Sequence, residues 1–261
     1  MRRWLYGVAG LIAIAAGLYA FRDGLYELFP GLAADRDVAA AAAKATKAAA
    51  DFAALSKDAY QSGNVPRQAD PAAGPLLDAV FGVDILKSKA TSLAKADLKA
   101  MSNWLTAEVK VGSFYIFAGT GISDPTHPVI DATLQQKVSQ NTAKYAPEIG
   151  RYMDGELAVV AAMLTASGID ATTTGSGPDN IRQGLAKTLF GLITTFPTEG
   201  ITDDWRRDRL VALNALAPKA AKVLQPDQCK QLIETAHSVG PAMSNSAVQS
   251  GLQAFSNALK C

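Results

Sequence analysis

Apolar residues recur with helical spacing along most of this chain, and the longest unbroken run comes first. Eighteen uncharged residues, Trp4 to Phe21, stand between Arg2-Arg3 and Arg22. As a helix they span about 27 Å, close to the thickness of a bilayer's hydrocarbon core. Trp4 and Tyr6 mark one end of the run and Tyr19 and Phe21 the other, where aromatic rings settle at lipid-water interfaces. Ala9, Ala13 and Gly17 recur every four residues and form a small-residue face that would let a second copy approach closely, as in a membrane homodimer. Ala13-Ile14-Ala15 also fits a small-x-small cleavage site, but that cut falls in mid-run, so a retained anchor is expected ahead of a cleaved signal peptide.

Tyr26, Phe29 and Pro30 then suit an interfacial turn that ends the first helix, and residues 31–62 read as an alanine-rich helical stalk. Val38, Ala41, Ala45, Ala48, Phe52, Leu55 and Ala59 keep one stripe along it. A stripe needs a partner, and packing on the chain's own globular part is favoured over a two-stranded coil because alanine buries little area. The glycines and prolines of 63–75 compose a linker, leaving 76–261 as a helical domain. Breaks are expected near Gly121, Gly168, Pro197 and Pro218.

One stretch is ambiguous. Residues 108–122 alternate at Val109 and Val111 and then turn aromatic, as a buried strand would. Leu98, Met101, Leu105, Val109, Gly112 and Ile116 nevertheless continue a helical stripe, and Gly119 and Gly121 offer a stop, so a helix is expected. Near the end, Leu232, Ile233, Ala236 and Val239 mark one amphipathic helix and Val248, Leu252, Phe255 and Leu259 another, an antiparallel hairpin. The fold class expected is therefore all-α: a transmembrane or signal helix, a helical stalk, and a multi-helix bundle or HEAT-like array of hairpins.

Composition narrows the function. Alanine abundance favours helix, and 25 basic residues against 24 acidic ones leave no positive field for nucleic acid. Arg2 and Arg3 hold the N-terminus inside, which places the body outside a bacterial inner membrane, in the periplasm, or free there if the leader is cut. The two cysteines, Cys229 and Cys261, fall at the open end of the C-terminal hairpin, and an oxidising compartment would join them.

Candidate chemistry is sparse. His127 lies between Asp124 and Asp131, but turn and cap roles account for that loop. His237, two helical turns from Cys229, stands about 12 Å away, too far to share a zinc ion, and no cofactor motif occurs. The glycine-rich stretch Thr172 to Leu185 sits at a helix start, where an anion can bind, yet lacks the lysine ending of a phosphate loop. In the cluster Thr202 to Leu210, Thr202 should cap a helix and Asp203 pair with Arg207, leaving Trp205, Arg206 and Arg209 as the partner-binding candidates. Glu148, Glu156 and Glu199 are the acids available to a glycan-cleaving hydrolase, the alternative function. The favoured reading is a non-enzymatic envelope adaptor that binds another envelope protein or a cell-wall component.

Overall fold

A computed structural model describes residues 36–89, 92–93, 97–121, 132–170, 172–198 and 201–260. All secondary structure among them is helical. The leader, with Trp4, Ala9, Ala13, Gly17 and Phe21, lies outside the described residues. Contacts group the chain into two units, one covering Leu25–Gly168 and the other including Ile169–Cys261.

In the first unit, helix α1 (Arg36–Leu55) packs on α3 (Gly74–Phe81) and α5 (Leu98–Ile116), and α5 packs in turn on α7 (Ala146–Ser167). Short helices α2 (Lys57–Ser62) and α4 (Asp84–Ser88), with α6 (Ala132–Lys144), complete it. The alanine-rich helix α1 packs within its own chain, and the helical run to Ser62 is divided between α1 and α2. Val38, Ala42, Ala45, Ala48, Ala49 and Phe52 are buried, whereas Leu55 is 42% exposed. The buried stripe uses Ala42 and Ala49 rather than Ala41 because two helices, α3 and α5, cover this face, which widens it beyond a coiled-coil seam. Phe52 meets the edge of Phe114 at 5.9 Å between centroids and tilts over Tyr115 at 5.8 Å, so the one aromatic residue of α1 keys it to α5.

The segment expected to be a linker belongs to the body of this unit. Tyr145 donates its hydroxyl proton to the Gly63 carbonyl at 2.7 Å and accepts from the Val65 N–H at 3.0 Å, while Tyr115 donates to the Pro66 carbonyl at 2.7 Å. Gly63 and Gly119 both take left-handed backbone conformations (φ 74° and 66°), and a side-chain carbon on Gly119 would come within 3.2 Å of the Gly63 Cα. Glycine and proline here set a fitted turn, a role their composition does not distinguish from a loose connection.

Residues 108–116 are helix, as the continuous stripe requires, and α5 stops before Gly119. The α7 helix runs without interruption through Gly150 and Gly155 to a left-handed cap at Gly168 (φ 66°).

The second unit holds α8 (Ser176–Thr195), α9 (Asp203–Val223), α10 (Pro226–Val239) and α11 (Ser246–Ala258). Helix α8 packs on α10, α9 on α11, and α10 on α11, which gives the expected C-terminal hairpin. The Thr202 hydroxyl accepts from the Trp205 N–H at 3.2 Å, the expected cap, and Asn245 caps α11 in the same way. Pro218 does not break the chain as expected: α9 continues through it to Val223. The proline lies on the exposed face, where water can serve the carbonyl its missing N–H abandons, and buried Leu216, Ala217, Ala220 and Val223 hold the last turns in place.

Candidate functional site

The crossing of α5 and α7 carries the most unusual chemistry in the described residues. Its two helices exchange side chains into each other's glycines. A side-chain carbon on Gly112 would fall 2.4–2.5 Å from the Tyr152 ring, and one on Gly155 would fall 2.4 Å from Glu108 Oε1. Tyr152 of α7 therefore lies flat over Gly112 of α5, and Glu108 of α5 lies over Gly155 of α7. The exchange brings Glu108 into electrostatic reach of Glu156 on the next position of α7. Phe81 from α3 closes the site against Gly155 and sits 6.2 Å from Tyr152, centroid to centroid.

Both carboxyls are sealed from solvent, with Glu108 0% and Glu156 1% exposed. Neither oxygen of Glu108 has a hydrogen-bond partner, and Glu156 has the Tyr152 hydroxyl beside it. Burial pushes the Glu108 carboxyl well above the usual range, and the neighbouring Glu156 raises it further. Glu156 is also driven well up by burial, which the Tyr152 hydroxyl opposes in part. Burial of two such groups in an apolar crossing favours their protonated forms, because enclosing both as anions is far costlier than enclosing them neutral. The arrangement can store and release a proton. Its seal gives a substrate no access.

Glu148 sits elsewhere on α7. It is 4% exposed and accepts the Gln68 N–H at 3.2 Å, beside Arg151, which bonds Gln68 and pairs with Asp78 at 2.8 Å. Glu148 thus anchors the 63–75 turn, eight residues from Glu156 along the same uninterrupted helix. Glu199, His127, Asp124 and Asp131 lie outside the described residues. His237 is exposed on α10, and among the described residues no three His, Cys, Asp or Glu side chains converge as a metal would require.

The proposed partner patch lies at the start of α9, with Arg209 buried and Trp205 and Arg206 half-buried. Arg206 donates through Nε to the Phe196 carbonyl at 2.7 Å, through one terminal nitrogen to Thr198 at 3.2 Å, and through the other to Asp203 at 2.6 Å. Arg209 is 6% exposed and stacks its guanidinium 4.5 Å from the centre of the Trp205 ring, which itself meets the Phe196 edge at 6.1 Å. Arg206 thereby ties the residues that follow α8 to the start of α9. Asp203 pairs with Arg206 rather than with Arg207, which takes Asp204 instead, a three-residue spacing in both cases.

The glycine-rich stretch before α8 is occupied by its own chain. Asp170 accepts from the backbone and hydroxyls of Thr172 and Thr173, bonds that hold its carboxyl below the usual range. Arg182 then reaches back from α8 to the Asp170 and Thr173 carbonyls and across to Val223. Cys229 is fully buried in the first turn of α10, and no described cysteine is a free thiol. Its expected partner Cys261 lies outside the described residues.

Glu108 does not stand out in the sequence, since it falls in the 108–122 stretch whose pattern speaks to helix or strand and not to chemistry. A signal was present: a carboxylate at an interior position of the apolar stripe, four residues after Trp104 and four before Gly112. Comparison of the chain with family models, with curated proteins and with solved structures finds no match.

Proposed function

We propose that this chain is a membrane-tethered envelope protein whose exported helical body binds another envelope component without chemical turnover. The observation that carries the reading is the eighteen-residue apolar run behind Arg2 and Arg3, placed ahead of a body in which no described helix is long and apolar enough to cross a membrane. An N-terminus held inside leaves the body in the periplasm, and a bridge between Cys229 and Cys261 would close its last hairpin there. Burial bears on the hydrolase alternative. A glycan-cleaving acid must touch the scissile oxygen, and Glu148 and Glu156 are 4% and 1% exposed.

Crosslinking in intact cells tests this reading. The adaptor function predicts a discrete set of captured envelope proteins or cell-wall fragments, and purified protein without activity on cell-wall glycan. Turnover of that glycan, lost on replacing one glutamate, would overturn it.

A further inference from the structure

We propose that the α5–α7 crossing is a proton-operated joint: it is closed while Glu108 and Glu156 are neutral and opens when alkaline conditions remove their protons. The geometry leaves little else for these groups to do. Gly112 and Gly155 bring the helices so close that Glu108 has no path to water short of separating them. A crossing meant only for strength would be served better by apolar side chains of similar size, since buried acids contribute little net stability.

The groups acting on the pair are few. Glu156 and Tyr152 on α7 face Glu108 on α5, and α3 contributes the apolar Phe81. The direction follows. Both acids bind protons more tightly folded than unfolded, so the closed state is fully supported below the ordinary glutamate range and loses support as pH rises through the raised values.

Amide hydrogen exchange of the full chain in detergent, with rates normalised for the intrinsic effect of pH, reads the joint directly. From about pH 5 to about pH 9, protection in α5 and α7 should fall roughly ten-fold or more, while α10 and α11 keep theirs. Glu108→Gln combined with Glu156→Gln should retain full protection in α5 and α7 at the alkaline end. Each single glutamine variant, available if the double one fails to fold, should show a reduced fall. Protection independent of pH in the wild type, or a full wild-type fall in either single variant or in the double variant, would overturn the proposal.

Discussion

Replacing Arg182 by alanine is expected to destabilise the second unit by about 3–5 kcal/mol, since three backbone carbonyls lose their donor at about 1–3 kcal/mol each, before partial relaxation. The side chain is 2% exposed, and its guanidinium ties together parts of the chain that pattern alone leaves unrelated. Nε holds the Val223 carbonyl at the end of α9 at 2.9 Å, and one terminal nitrogen holds the Asp170 and Thr173 carbonyls of the loop before α8. The remaining nitrogen pairs with Asp179 at 2.6 Å, a partner whose side chain is 69% exposed. An accessible partner of that kind adds little, so Asp179→Ala should cost less than about 1 kcal/mol. Thermal or denaturant unfolding of both variants checks the contrast. Equal effects would mean that the ion pair, and not the carbonyl clamp, is what matters.

Trp104→Ala should weaken the first unit by about 3–5 kcal/mol, the usual cost of removing a fully buried ring. Trp104 is 1% exposed and is among the largest side chains of the core, and its Nε1 donates to the Val80 carbonyl at 2.7 Å, near the end of α3. Truncation leaves both a cavity and a carbonyl without its donor. Trp104→Phe separates the two contributions by restoring most of the ring without the donor, and should retain a loss of about 1–3 kcal/mol. Denaturant titration resolves the difference. A phenylalanine variant as stable as the wild type would show that the Val80 bond contributes nothing.

Arg182 and Trp104 owe their roles to partners that local pattern does not reveal. Helical periodicity exposed the elements whose apolar stripes are long: α5 through Leu98, Leu105 and Ile116, and the closing hairpin through Leu232 and Leu252. It also found the cap at Thr202, because a cap is local. Partners far apart in sequence were not legible. Arg182 looks like half of a surface ion pair with Asp179 until Val223 is seen beside it, 41 residues away. The 63–75 turn has the composition of a linker because proline and glycine shape tight turns and loose ones alike, and only the hydroxyls of Tyr115 and Tyr145 tell them apart. Glu108 and Glu156 reveal their meaning only where α5 and α7 cross.

The tethered, exported state is most directly tested by the intact mass of unreduced protein taken from the membrane fraction of its own cells. A retained leader and a Cys229–Cys261 bridge together predict the full 27.3 kDa chain, lighter by the two hydrogen atoms that disulfide formation removes. A chain beginning near Ala16 would contradict the tether, and a full-length mass with both thiols still protonated would contradict the oxidising location of the body.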